Sequence, residues 1–475
     1  MRIPGYLSMV DFYSDSHDPT VIYAEVVVPS IGDNNTSYRM FVDINDERFK
    51  SYIRMFILPN ININVSVSAI IQNVKDTITL GGNPDTVAPR VRTAGTLRNE
   101  LLEYDLNDNL RNYVVITPHG WNITKKHKHK FLKRNMLGAQ VTPKRPQKDL
   151  LSLLKPIVNT DKDGLILFAT WLVQTFCMGN HSALLIMAEQ GCGKSTLTKM
   201  TRRIVDPSML NAVTLSDKKD DLFATLSNSY FVAFDNTDEL SKETSNILCS
   251  AVTGATMARR KLYTTNELGV YELHNTIILN GIDIMPSQSD LASRCLLLKL
   301  KPIDENNRMT DSKIEDYFSN NLPEILGAIF DALSEAMKVI KGIKLNRRPR
   351  MVESYKEMLA IAVALGISEE EFERIYFENL DTIDKERSNI AIVEAVKEYM
   401  ESAVVEGRKQ HETATVLFNK VSSNYSGCKS DIAKSASHFS RKLRREYSAI
   451  YAAGYTVNFD DTFADGSHIE IIKNK

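Results

Sequence analysis

Residues 184–200 read LLIMAEQGCGKSTLTKM: an apolar run, two glycines, then a lysine and a hydroxyl residue. This is close to the phosphate-loop pattern G-x-x-x-x-G-K-[ST], with Ala188 where the first glycine stands. In that pattern the backbone N–H groups of Gly191, Cys192 and Gly193 surround phosphate oxygens. Lys194 reaches the β and γ phosphates, and Ser195, followed by Thr196, holds Mg²⁺. The helix that follows adds a favourable dipole. Ala188 falls at the strand end, where a methyl group is tolerable, while Gly191 and Gly193 keep the freedom nearest the phosphates. The cofactors expected are ATP and Mg²⁺.

A bare G-K-S tripeptide says little, and a second element adds weight. SYFVAFDNTDEL contains a buried-strand pattern, YFVAF, ending in Asp235, where a carboxylate holds Mg²⁺ through water. The next residue is Asn236, so a general base must come from elsewhere; Asp238 and Glu239 are within one turn, and either is equally a solvated helix-start residue. In NTIILNGID, Asn280 stands at a third strand tip, able to orient a water or simply to turn the chain. In SDLASRCLLLKLKPI, Arg294 precedes a further apolar strand. An arginine there can project across a subunit boundary onto a neighbour's ATP, or form an ordinary surface ion pair.

These residues need strands and helices to position them. ALLIMA suits a buried parallel strand and KSTLTKMTRRIV an amphipathic helix. The chain has 475 residues, enough for about three domains of roughly 100–200 residues each. Its 43% hydrophobic and 25% charged residues exclude disorder as the default. With a net charge of -1, any nucleic-acid contact must come from local patches. Residues 1–148 read as an α+β region, with VIYAEVVV a strand, NDERFKSYIRMFI and SVSAIIQNVKDTI helices, and NYVVITPHGWNIT a hairpin. The polar stretch GAQVTPKRPQKD reads as a link. Residues 149–310 alternate strand and helix, as a parallel sheet does; 311–384 read as helices; and 385–475 read as short helices and then a two-stranded pattern.

Five scattered cysteines, 177, 192, 249, 295 and 428, form no C-x-x-C pair, which favours a reducing cytoplasm over a disulfide or zinc framework. The longest apolar run, GLILFATWLVQTFCMG, falls short of the roughly 20 residues of a membrane span and reads as a buried helix. The N-terminus lacks the apolar core of a secretory signal. No membrane association is expected.

With AEQGCGKST, FVAFDN, ILNGID and SDLASRCLLLKL in this order, the chain resembles AAA+ ATPases, specifically the superfamily 3 helicases of viruses, phages and mobile elements. The most specific stretch is LCSAVTGATMARRKLYTTNELGVYELHNTIILNGID. It resembles the segment in which an L-x-x-x-T-G turn and an R-x-L-Y strand precede the third motif. More closely, most of the chain resembles bacterial and phage-encoded ATP-binding proteins of helicase-like or primase-helicase-like description, including LNRRPRMVESYKEMLAIAVALG and HFSRKLRREYSAIYAAGYTV. No primase catalytic motif stands in the N-terminal region.

The fold expected is multidomain α/β: the AAA+ P-loop core that the resemblance implies, with the N-terminal α+β domain, the helical lid and a C-terminal winged helix read from the residue patterns. The resemblance also implies a ring, a hexamer, with ATP between subunits. On that mapping Lys194 and Ser195 bind phosphate and Mg²⁺, Asp235 acts through Mg²⁺, Asn280 is sensor 1 and Arg294 is a finger acting in trans. The S-R-C triplet is also similar to the clamp-loader arginine-finger motif. Arg350 is either a lid-borne sensor 2 or a solvated arginine. Ala188 and Asn236 depart from the family pattern, and Asn236 leaves the base unassigned.

For DNA, the resemblance places Arg259, Arg260 and Lys261 on a hairpin lining a central channel around a single strand. At the C-terminus, Lys434, Arg441, Lys442, Arg444 and Arg445 are expected on one helix, with Ala433, Ala436, Leu443 and Tyr447 packed inward. A hairpin with an Asp-Gly turn follows, which suggests a winged helix holding duplex. KKHKHKFLKR, 125–134, is either a DNA contact or a solvated loop. The expected activity is that of an ATP-dependent DNA helicase or replication initiator of a mobile element. A loader or remodeller that does not unwind, and an ATP-gated DNA-binding regulator, are the alternatives.

Overall fold

Four short apolar runs form one parallel sheet, in the order Phe231–Phe234, Thr276–Gly281, Ala183–Met187, Cys295–Lys299. The computed structural model describes residues 7–29, 37–61, 64–80, 84–108, 110–216, 218–237, 240–260, 268–281, 284–286, 288–303, 310–402, 409–460 and 468–474. A parallel bridge from Val213 to Phe234 extends the sheet at one edge. Successive side chains of a strand point to opposite faces, and here each face has its own core. Leu184, Ile186, Ile278 and Leu298 pack with the helices Lys162–Gln174 and Asp311–Val339. Leu185, Val232, Leu279 and Leu297 pack on the other side, with Lys219–Ser227 and Lys242–Thr253. Burial on both faces is why these strands read as continuous apolar runs rather than alternating ones.

The longest apolar stretch is the expected buried helix. Asp161 caps it by accepting from Gly164 N at 2.7 Å, and Ile166 to Gln174 are buried without interruption. Among the described residues no helix is long and apolar enough to cross a membrane. The outer edge of Cys295–Lys299 is closed by Asn379 of the long helix Glu369–Glu401. Its amide donates to Leu297 O at 2.7 Å and accepts from Leu297 N at 2.9 Å, so no bare edge is left there. That helix runs through 384, linking the helical region to the C-terminal unit.

The N-terminal part holds two sheets. Strands Asp11–Asp15, Ile22–Pro29, Ser37–Asp43 and Asp85–Val87 make the first, with the helices Glu47–Tyr52 and Val67–Thr79 sharing its core. Asp46 and Ser66 cap those helices. The second is an antiparallel meander of Thr93–Thr96, Leu101–Asp105, Tyr113–Thr117 and Gly120–Thr124, containing the expected hairpin. Its Leu102, Tyr104, Ile116 and Trp121 belong to the same hydrophobic cluster as the parallel sheet. The polar stretch 138–149 lies along this joint: Gly138 N bonds Pro207 O, Gln140 N bonds Leu106 O, and Lys144 N bonds Pro323 O.

The 125–134 basic cluster is divided: its first part is exposed and its second part is tied into the fold. Glu103 accepts from Lys128 N, His129 N and His129 Nδ1; Lys130 pairs with Glu25 at 2.8 Å and Lys133 with Asp105 at 2.5 Å, while Phe131 and Leu132 are buried. Lys130 and Lys133 thus help to stitch the two N-terminal sheets together, while Lys125, Lys126 and Lys128 are exposed.

At the C-terminus, Lys409–Thr413 joins the hairpin strands Tyr455–Asp460 and His468–Lys473 in a three-stranded antiparallel sheet, with the last strand central. Helices Ala414–Asn424, Lys429–Ile432, Ala436–Arg445 and Tyr447–Ala452 lie between the first and second of these strands in sequence. The expected Asp-Gly turn lies outside the described residues. Three expectations for the basic helix need correction. Lys434 precedes the helix, which Ser435 caps. Tyr447 is exposed, because the chain bends at Glu446 (φ -93°, ψ 17°) and starts a new helix. Lys442 points inward, 5% exposed, donating to Asp431 O at 2.9 Å beneath an Arg387–Asp431 ion pair of 2.7 Å. Burial, with Arg445 and Arg387 nearby, pushes its ammonium down to about 8.

Candidate nucleotide site

The loop from 188 to 193 joins the strand Ala183–Met187 to the helix Lys194–Val205 at the carboxyl end of the sheet, where ligands of open α/β sheets bind. Gly191 (φ 81°) and Gly193 (φ 84°) are both left-handed. A Cβ at Gly193 would meet nothing within 4 Å, so conformation rather than space selects glycine there. Ala188 is not among the described residues with positive φ, so its methyl group causes no strain. The ammonium of Lys194 folds back over the loop and donates to Ala188 O at 2.6 Å and Glu189 O at 2.8 Å. Cys192 is buried in the main core, so only its backbone faces the loop.

Ser195 Oγ donates to Asp235 Oδ1 at 2.8 Å, bringing together two oxygen donors from distant parts of the chain. Hard oxygen donors of this kind suit Mg²⁺, which takes the rest of its shell from phosphate and water. The first-turn N–H groups of Lys194–Val205 lack intrahelical partners and form an anion cradle beside the pair.

Asn280 is 1% exposed and spans two elements. Its Oδ1 accepts from Asn236 N at 3.0 Å, and its Nδ2 donates to Thr198 Oγ at 2.7 Å. Because its strand lies between those of the phosphate loop and Asp235, this amide braces one against the other. Asn236 is left-handed (φ 55°), a conformation asparagine tolerates better than most residues. The Thr198 contact carried no sequence signal.

A cleft of about 1310 Å³ opens beside the loop, bounded by Gly191–Leu197 and Asn236 on one side and by Ile157, Val158, Leu165, Leu300 and Ile314 on the other. Asn159 Nδ2 donates to Lys301 O at 2.6 Å and Thr160 Oγ to Lys299 O at 2.7 Å, fastening the 157–160 loop to the sheet end. Sequence reasoning missed this apolar wall, because its residues are scattered from 157 to 314.

Arg294 lies at the other end of the sheet. Its carbonyl accepts from Ala183 N, at the start of the strand whose far end carries the phosphate loop. The strand's rise of ~3.3 Å per residue puts roughly 15 Å between them. Arg294 Nη1 pairs with Asp290 at 2.8 Å, Arg350 pairs with the same oxygen at 2.5 Å, and Cys249 Sγ donates to the other at 2.9 Å. The hydrogen bond from Arg294, then that from Cys249, holds the Asp290 carboxyl below its ordinary range. Arg350 therefore stands with Arg294 and away from its own chain's phosphate loop.

Arg259 and Arg260 lie on Thr256–Arg260, one strand of an antiparallel ribbon with Leu268–Glu272. Lys261, Asp238 and Glu239 lie outside the described residues. Arg441, Arg444 and Arg445 are exposed on Ala436–Arg445.

Residues 148–364 match a family model described as the actinomycete integrative conjugative element replication protein; that stretch contains the phosphate loop, Asp235, Asn280, Arg294 and Arg350. No curated protein matches the chain. Among solved structures, the chain is similar to the apo C-terminal region of NrS-1, at 12% identity and a TM-score of 0.38, covering 98% of this chain and 96% of that one. A JCV helicase solved with a bound compound matches at 12% identity and a TM-score of 0.25, over 51% of this chain and 63% of that one.

Proposed function

We propose that the chain is an ATP-driven motor acting on DNA in the replication of a mobile element, with ATP and Mg²⁺ held at the 188–195 loop. The observation that carries this reading is the Ser195–Asp235 pair beside two left-handed glycines and an open helix N-terminus. The match of 148–364 to a mobile-element replication family supports the setting.

In this reading Lys194 leaves the Ala188 and Glu189 carbonyls to meet the β and γ phosphates, and backbone N–H groups of 191–196 bind their oxygens. Bound Mg²⁺ supplies charge neutralisation at the transferred phosphoryl group. Ser195 and Asp235 orient it, and Asn280 keeps Asp235's loop in register with the phosphate-loop helix. The apolar wall of Ile157, Val158 and Ile314 receives the base. Arg294, at the opposite end of the sheet, serves a neighbouring subunit's site, so the active form is an AAA+ ring, a hexamer. The ribbon with Arg259 and Arg260 faces a strand in the channel. The strand order and hairpin at 409–473 support a winged helix that holds DNA through Arg441, Arg444 and Arg445, with Lys434 at its edge.

One observation favours a second reading, a slow ATP-gated DNA-binding regulator. The residue after Asp235 is an amide held in a left-handed turn, which supplies no carboxylate to activate water.

Strand displacement on a forked duplex with ATP and Mg²⁺, with hydrolysis recorded in the same reaction and Lys194→Ala as blank, tests the proposal. Unwinding by the wild type alone is expected. Hydrolysis without unwinding would replace the helicase by a loader, and binding without hydrolysis would leave the regulator.

A further inference from the structure

The C-terminal unit buries Tyr425, Phe439 and Tyr455 but leaves two tyrosines in solvent. Tyr447 is 39% exposed and Tyr451 57%, on the short helix Tyr447–Ala452. Four residues apart, they occupy one helix face, and their rings lie nearly parallel, 6.3 Å between centroids with 21° between planes.

The surroundings of this pair are cationic. Arg441, Arg444 and Arg445 are exposed on the helix just before it. The Arg444 guanidinium lies over the ring of Phe459, 4.0 Å from its centroid, which ties helix to hairpin. Arg445 is steadied by Glu446 at 2.7 Å and by Asn389. Asp431 is turned inward against Arg387. Two exposed, near-parallel rings, with exposed guanidinium groups on the preceding helix, complement a chain that offers both ring faces and phosphates.

We propose that Tyr447 and Tyr451 form a stacking platform for unpaired bases of single-stranded DNA, whose phosphates are met by Arg441 and Arg444. In a duplex the base faces are covered by their neighbours, and only edges and backbone remain for a protein to contact. Exposed rings gain from a single strand what they cannot gain from a closed duplex, and do so without regard to sequence. This rests on the reading of the chain as a DNA-acting protein, but not on ATP turnover.

The test is an anisotropy titration of the full chain without nucleotide, at fixed salt, against a labelled single strand, the same strand with an abasic stretch, and a blunt duplex. Tyr447→Ala and Tyr451→Ala should each weaken single-strand binding roughly 5- to 100-fold while leaving the duplex within about twofold. Tyr→Phe at either position should bind as wild type. The abasic stretch should weaken wild type, yet cause little further loss in the alanine variants. Wild-type affinity in both alanine variants, or equal losses on base-bearing and abasic strands, would overturn the platform. So would unchanged DNA affinity with altered sedimentation, which would assign the tyrosines to a contact between copies. Lys194→Ala separates the two readings: it should bind the strand as wild type does, so a failure of the ATP site would leave this result standing.

Discussion

The two ends of the parallel sheet solve different problems with the same strands. At the carboxyl end, Ser195, Asp235, Asn236, Asn280 and Thr198 come from three separate segments and are joined by hydrogen bonds within one chain. At the other end, one carboxylate, Asp290, is shared by Arg294, Arg350 and Cys249. Asp290 and Arg350 are each about half exposed, and no phosphate loop lies near them. The first end is held together by these hydrogen bonds, buried or part-buried where Asn280 makes them. The second gathers two arginines on one carboxylate, and its proposed use requires another molecule. A buried amide brace is rigid because its loss strands polar groups out of water, whereas a half-exposed ion pair such as Arg350–Asp290 is exchanged cheaply.

Several substitutions would break or sharpen this contrast. The largest effect is expected from Lys194→Ala, which should bring ATP turnover to background, measured as phosphate release. Arg294→Ala should lower turnover roughly 1000-fold with nucleotide binding retained. Mixing the Lys194→Ala and Arg294→Ala proteins should restore part of the activity, because some interfaces then pair an intact lysine with an intact arginine. No recovery on mixing would return Arg294 to its own chain. Asn280→Ala should leave Asn236 N–H and the Thr198 hydroxyl without their partner, destabilising the fold by about 2–4 kcal/mol in denaturant titration. Turnover should fall with it. If stability is unchanged, the amide is not a brace.

The smallest effect concerns the helix Val352–Ala364 where it packs on Gln174. Burial pushes the Glu357 carboxyl up to about 7, against a hydrogen bond from Gln174. The folded state then holds its proton where the unfolded chain has released it, so stability should fall as pH rises from about 4.5 to 7 and level off above. Glu357→Gln should match wild type near pH 4.5 and be more stable at pH 8, by about 1–3 kcal/mol. Parallel pH dependence of the two proteins would place that carboxyl in water.

The strands of the parallel sheet, the buried helix Lys162–Gln174 and the hairpin at 113–124 were all readable in the sequence, because burial pattern and turn chemistry are local. The phosphate loop was readable for the same reason: contiguous residues carry its conformation. Charges were misread wherever their partners lay far away. KKHKHKFLKR looks uniformly cationic, but Lys130 and Lys133 are paired with Glu25 and Asp105. Lys442 sits in a row of basic residues, yet its helical phase turns it toward Asp431. Arg350 gave no sign that it would share a carboxylate with Arg294.

By itself the sequence determined where strands begin, which loop must be left-handed, and which lysine, serine and aspartate could meet a phosphate. Only the tertiary structure decided that Asn280 braces Asp235's loop, that a wall from 157 to 314 closes the cleft, and that Arg294 faces away from it. The reason is physical: backbone conformation is set by neighbours in sequence, whereas the fate of a charge or an amide depends on which groups folding brings within about 3 Å.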